Sequence, residues 1–305
     1  MKYLEFGPEK DLVSVIGAGC MRIAGMTEDA VEAFVLNAVD HEINFFDHAD
    51  IYGGGKSELL FGSVLKKHPS LREKIFIQSK CAIHDGLFDF DRDYILKSVD
   101  GILSRLNTDH LDSLLLHRPD ALMEPEEVGE AFDILKASGK VRSFGVSNMN
   151  RYQMELLSSG LNVDLSANQL QMSLVHAPML EAGFNVNMMA DASVMRDGGT
   201  LEYCRLKKVV VQTWSPLQIG YFGGVFLKDE RYPELNALLD QLAEEQHTTP
   251  DAIAYAWLLR YPAKMQVITG TTNNEHLNNA AAAADVVLTK KQWYDLYKAV
   301  GRRLP

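Results

Sequence analysis

The 305 residues are 47% hydrophobic and 23% charged, proportions that allow a large core without disulfide or metal staples and exclude a disordered chain. With 30 basic against 41 acidic residues the net charge is −11, and no block of Lys or Arg offers a footprint for a phosphate backbone, so nucleic acid is not an expected partner. Three cysteines, Cys20, Cys81 and Cys204, with no C-x-x-C pairing, signal neither a disulfide framework nor a zinc site and read as reduced thiols.

Residues Met1 to Lys10 carry no basic stretch followed by an apolar one, and no apolar run approaches the roughly 18 residues of a bilayer span. The expected compartment is therefore the cytoplasm, with no membrane partner, and nothing signals an oligomeric state. One domain over residues 1–305 is expected, because alternating strands and helices run from end to end and parallel barrels reach this length as one unit.

Eight strands are predicted, at Ser14 to Ala18, Asn44 to Asp47, Ile75 to Lys80, Leu111 to His117, Ser143 to Ser147, Leu165 to Asn168, Val209 to Trp214 and Gln266 to Thr269. After the first strand the turn reads GAGCMRIAG. Gly17 and Gly19 begin a dinucleotide fingerprint, but Arg22 stands where its third glycine would fall, which favours a closed barrel over an open doubly wound sheet. The first helix has Thr27 as cap, Glu28 and Asp29 at its positive end, and an apolar face of Val31, Phe34, Val35, Ala38 and Val39. Gly53, Gly54 and Gly55 after the second strand make a flexible loop without the lysine-serine pair of a phosphate cradle. The fourth helix opens at Pro125, Glu126 and Glu127 and stops at Gly139. Two helices precede the eighth strand: one carries Leu235, Leu238, Leu239 and Leu242, the other opens at Thr249 and Pro250. A last helix covers about Lys290 to Val300.

In such a barrel, chemistry collects where strands end. Strand two ends in Asp47 with Tyr52 five residues on, strand three in Lys80 and strand four in His117. Singly, each has a bland reading: a helix cap, a solvated amphipath, a satisfied polar group. Together they offer a proton donor and its tuning. Carbonyl reduction builds negative charge on oxygen; a phenol beside an ammonium is a better acid than its reference pKa of about 10 suggests, Asp47 would hold Lys80 charged, and a neutral His117 could orient the carbonyl.

The stretch FFDHADIYGGGKSELLFG, the lysine of IQSK, LLLHRPD, GKVRSFGVSN, the pair Asn168 and Gln169, and WSPL at Trp214 to Leu217 resemble, in order, the motifs of the aldo-keto reductases, on the bacterial general branch. The resemblance runs from residue 44 onward and implies a (β/α)8 barrel reducing carbonyl compounds, with Asp47, Tyr52, Lys80 and His117 as its tetrad and Tyr52 as general acid. It also implies a nicotinamide in the barrel mouth, with Ser147, Asn148 and Gln169 on its carboxamide and Trp214 stacked on its ring. Cys20, Met21 and Arg22 are candidate contacts beside it. The pyrophosphate and adenosine would lie near Ser215, Leu217, Gly270, Thr271 and Thr272. There the chain departs from the family pattern, with Thr269 for Pro, His276 for an adenosine-binding Arg, and Asn279 with Ala280 for Glu-Asn. NADPH is the expected cofactor, over NADH by a reduced margin, helped by free N–H groups at the start of the helix after Thr272.

Two other readings stand beside this one. A metal-dependent hydrolase would recruit Asp47, His48, Asp50 and His117 as ligands, leaving Lys80 without a role. A regulatory module would hold the cofactor only to sense redox state. The loops Glu181 to Gly199 and Gln218 to Asp229, with Phe184, Met188, Met189, Tyr221, Phe222 and Phe226, are expected to form an adaptable apolar wall for the substrate.

Overall fold

The computed structural model describes residues 1–221 and 223–304. The chain opens with an antiparallel hairpin, β1 (Tyr3–Phe6) and β2 (Asp11–Ser14), then enters the first barrel strand, β3 (Ile16–Gly19). The succession continues through α1 (Glu28–Asp40), β4 (Phe45–Asp47), α2 (Lys56–Lys67) and β5 (Phe76–Cys81). A second small hairpin follows, β6 (Ile83–His84) and β7 (Leu87–Phe88), then α3 (Arg92–Leu106), β8 (Leu111–Leu116), α4 (Pro125–Ala137) and β9 (Val141–Ser147). Next come α5 (Arg151–Ser158), β10 (Leu165–Gln171), α6 (Pro178–Phe184), α7 (Thr200–Lys207) and β11 (Val210–Trp214). The chain ends with α8 (Pro233–Glu245), α9 (Pro250–Leu259), β12 (Met265–Thr269), α10 (Asn274–Ala282) and α11 (Lys290–Lys298).

Strands β3, β4, β5, β8, β9, β10, β11 and β12 form a closed parallel barrel, with β12 returning to β3 through Ile268 beside Gly17 and Thr269 beside Ala18. The eight expected barrel strands are all present. The first differs: Ser14 ends the N-terminal hairpin, and the barrel strand begins two residues later at Ile16. Closure is tight there, since a Cβ on Gly19 would fall 2.2 Å from the Thr269 carbonyl oxygen. Helix starts follow the local chemistry. Thr27 accepts a hydrogen bond from the Ala30 N–H, and α4, α8 and α9 each begin with proline, whose missing N–H costs nothing at a first turn.

Because strand side chains alternate, residues two apart share the barrel interior and stack in layers. On β5 these are Phe76, Gln78 and Lys80; on β11 they are Val210, Gln212 and Trp214. The lowest layer is apolar: Phe6 and Val13 of the N-terminal hairpin close that end against Phe45, Phe76, Leu115, Ala167 and Val210. Above it lies a layer of amides. Gln78 and Gln212 bond each other reciprocally at 2.9 and 3.1 Å, Gln212 donates to Gln266 at 2.9 Å, and Gln266 donates to the Ser14 carbonyl at 2.8 Å. The charged residues stand above the amides, at the strands' C-terminal ends.

Candidate active site

Asp47, at the end of β4, is where the amide layer meets the cavity. Gln78 and Gln169 donate to its Oδ1 at 2.7 and 3.0 Å, while Lys80 Nζ, wholly buried, donates to Oδ2 at 2.7 Å. Lys80 also donates to the His48 carbonyl at 2.8 Å and lies 3.1 Å from the Tyr52 hydroxyl. The loop carrying Tyr52 is pinned to β5, through His48 N–H on the Gln78 carbonyl at 2.8 Å and Asp50 N–H on the Lys80 carbonyl at 3.0 Å. Gly53 then turns with φ of 59°, and a Cβ there would meet Ala24 at 2.4 Å, so the turn excludes larger residues. His117, whose N–H donates to the Cys81 carbonyl at 2.9 Å, sets its ring edge-on to Tyr52 with centroids 5.9 Å apart.

Electrostatics follow from burial and from Lys80. Burial alone would discharge Lys80, but Asp47 and Tyr52 outweigh it and hold the ammonium above its ordinary range. Burial pushes the Tyr52 phenol above its ordinary value, Asp47 adds to the rise, and Lys80 offsets only part of it. The expectation of a net-acidified phenol is thereby corrected: the Tyr52 hydroxyl is buried deeply enough that desolvation outweighs the nearby cation. Burial, with Lys80 and Arg118, holds His117 well below 6.5, so its imidazole is neutral at pH 7.

The tetrad lies at the floor of a cavity of about 1500 Å³, which runs from the β6–β7 hairpin across the barrel mouth to α9 and α10. Of the expected residues, Asp47, Tyr52, His117, Met21, Arg22, Ser147, Asn148, Gln169, Trp214, Ser215, Leu217, Gly270, Thr271, His276 and Asn279 line it. Lys80 stands behind Tyr52. Asn148, with φ of 56°, turns its side chain to receive the Trp214 indole N–H at 3.1 Å and donates to Ser147 Oγ at 2.7 Å. Ser147 in turn donates to the Gln169 carbonyl at 3.0 Å. The Gln169 amide nitrogen is committed to Asp47 and to Gln212, at 3.1 Å, and its side-chain oxygen takes no hydrogen bond among the described residues.

Several expectations need correction. Cys20 does not line the cavity: it is wholly buried, its thiol on the Ala18 carbonyl, and burial pushes that thiol up; Cys81 and Cys204 are likewise buried and free. Thr272 is not a lining residue. The N–H groups expected to be free at the start of α10 are partly used, since Asn273 Oδ1 accepts from Glu275 and His276, and Thr271 Oγ1 accepts from Asn273. The apolar wall is built elsewhere too. Phe184 packs on Trp293, Tyr294 and Tyr297, Phe226 is core, and Met188 and Met189 face solvent, while Phe222 lies outside the described residues. Tyr221 does line the cavity, with Ile83, Phe88 and Val225.

At the far end the lining includes a residue that sequence reasoning missed, Asp251, nearly buried and 3.8 Å from His276 Nδ1. The alternative metal ligand set is not assembled. Asp47 has both oxygens committed, and the His48 ring is buried edge-on against Phe61 at 4.5 Å, held by burial and Lys80 at a pKa of about 3.

The sequence matches the model of the aldo/keto reductase family over residues 15–300. It is 38% identical to oxidoreductase YdhF of Escherichia coli K12, over 90% of this chain and 88% of the relative. It is 37% identical to a 6-dehydroglucose reductase of Agrobacterium fabrum, over 90% and 89%. The crystal structure of the thermostable aldo-keto reductase Tm1743 with the inhibitor epalrestat superposes with a TM-score of 0.78 at 26% identity, covering 98% of this chain and 100% of that one. No helix among the described residues is long and apolar enough to cross a membrane. With the barrel and the tetrad geometry already in place, these matches assign the chain to the aldo/keto reductase family, as an NAD(P)H-dependent oxidoreductase.

Proposed function

We propose that the protein is a cytoplasmic, single-domain reductase of small aldehydes or ketones, drawing on NADPH, with NADH as the poorer donor, and that Tyr52 is its general acid. The observation that carries this is the Tyr52 hydroxyl at the cavity floor, 3.1 Å from an ammonium that is itself 2.7 Å from a buried carboxylate. Ser147, Asn148, Gln169 and Trp214 fit a nicotinamide. The bare side-chain oxygen of Gln169 suits a carboxamide N–H, and the flat face of Trp214, fixed by Asn148, suits a ring. The reduced nicotinamide supplies hydride to the carbonyl carbon.

Tyr52 delivers the proton to the oxygen. Lys80 stabilises the phenolate that remains, and Asp47 keeps Lys80 charged and in line. His117, neutral, donates to the carbonyl oxygen and fixes its direction. At the adenosine end, His276 and the α10 start favour a 2′-phosphate. The Asp251 carboxylate beside His276 opposes it, which narrows the NADPH preference beyond the loss of an arginine.

Loss of reduced-nicotinamide absorbance with a panel of aldehydes, ketones and quinones tests the reading. Turnover with NADPH, weaker turnover with NADH, and loss of about 10²-fold or more in Tyr52→Phe are expected. No turnover with either cofactor, or a Tyr52→Phe enzyme as fast as wild type, overturns it. Tighter binding of NADH than NADPH overturns the cofactor preference alone.

A further inference from the structure

Arg118 follows His117 directly in the loop after β8 and lines the same cavity. Among the described residues four arginines are half-buried, Arg72, Arg105, Arg118 and Arg302. Three of them are matched by a carboxylate: Arg72 by Asp112 at 2.9 Å, Arg105 by Glu58 at 2.8 Å and Arg302 by Glu181 at 2.7 Å. Arg118 has no ion pair or hydrogen bond among the described residues. Its guanidinium lies 5.8 Å over the ring of Trp214 and is otherwise free to face the cavity. The nearest carboxylate in sequence, Asp120, is turned away, accepting the N–H groups of Phe90 and Leu122.

A half-buried guanidinium that lines the cavity without a carboxylate partner leaves its charge available to an anion bound beside it, and its planar fork suits an oxyanion. The same cavity is lined by Ile83 and Phe88 of the β6–β7 hairpin and by Val225, so an anion held by Arg118 would share it with apolar side chains. The structure assigns Arg118 as a specificity-determining residue that selects carbonyl substrates bearing an anionic group, held next to the carbonyl that Tyr52 and His117 engage. This rests on the reductase reading of the tetrad.

Matched pairs of substrates test it: 4-carboxybenzaldehyde against 4-carbamoylbenzaldehyde, and glyceraldehyde 3-phosphate against glyceraldehyde. The first pair reports a carboxylate and the second a phosphate. In wild type, the charged member of at least one pair is expected to have kcat/KM about tenfold or more above its neutral partner, chiefly through KM. In Arg118→Met and in Arg118→Gln that ratio is expected to fall to about one, with the neutral member changed no more than about twofold and the Kd for NADPH unchanged.

Ratios near one for both pairs in wild type overturn the assignment, as do ratios that survive both substitutions. A variant that loses NADPH affinity and all aldehydes alike also overturns it, placing Arg118 on the cofactor instead. Should no aldehyde of either pair be reduced by wild type, it is the reductase reading that fails.

Discussion

Lys80 stands between two oxygens with different needs. The Asp47 carboxylate requires a buried countercharge, and the Tyr52 hydroxyl, a donor in the reductive direction, needs that same charge once its proton has left. Removing the ammonium therefore harms stability as well as rate, because Asp47, about 2% exposed, is left with amide donors only. Lys80→Met is expected to cost about 3–5 kcal/mol in chemical denaturation, the usual penalty for an orphaned buried charge. Asp47→Asn combined with Lys80→Met should recover most of that stability and none of the activity. A Lys80→Met protein as stable as wild type would show that the pair is not fully desolvated.

The direction of the Tyr52 shift gives a pH dependence with a definite sign. A phenol held above its ordinary value stays protonated through neutrality and loses its proton only as pH climbs past about 10. Carbonyl reduction, which consumes that proton, is thus expected to be flat between about pH 6 and 9, whereas alcohol oxidation, which needs the phenolate, should climb with pH. Initial rates in both directions across that range check it; a reduction rate already falling at neutral pH contradicts it.

Elements show where sequence was legible and where it was not. Parallel barrel strands announce themselves as short aliphatic runs separated by amphipathic helices, and the residues at their predicted ends, Asp47, Lys80 and His117 among them, are legible directly. The two hairpins are not legible in this way. In the second, Asp85 and Gly86, both at positive φ, form the turn between Leu87 and His84, and the Asp-Gly pair is a strong local signal for that turn. With only two residues per strand it has no alternation to support it. Of the first hairpin only Ser14 falls within a predicted strand, because Leu12, Val13, Val15 and Ile16 make one aliphatic run in which nothing marks the boundary between β2 and β3. Asp251 was hidden differently: at a helix start it reads as a favourable dipole partner, and only the fold reveals that α9 carries it to the cavity. Likewise, nothing local distinguishes Phe184, which packs on α11, from Tyr221, which lines the cavity. The N-terminal hairpin's role is testable. Phe6 lies 5.0 Å from the Phe76 ring and 5.9 Å from that of Phe45, at the barrel end remote from the tetrad. Phe6→Ala is expected to cost about 3–5 kcal/mol in denaturant unfolding while leaving kcat within about twofold. A large kcat loss with little change in stability would mean that the floor governs the site.

At the scale of the whole molecule, one end of the barrel is plugged by aromatic side chains and the cavity opens at the other, the mouth that the proposed cofactor and substrate would share. The last helix is fastened to α9. Trp293 of α11 and Trp257 of α9 lie parallel, centroids 5.0 Å apart and planes 6° from each other, and each indole N–H donates to the other residue's carbonyl at 3.0 Å. The third tryptophan, Trp214, lines the cavity. The protein is thereby built with two independent optical reporters. Two indoles stacked at that separation couple their transition dipoles, and the dichroic couplet, whose size is set by the angle between the dipoles within the two planes, is expected to vanish when α11 detaches, while emission from Trp214 is expected to respond to whatever enters the mouth. Ligand titration and unfolding can thus be followed in one unlabelled sample, and loss of the dichroic couplet before the loss of the helical signal would identify α11 as the first element to leave.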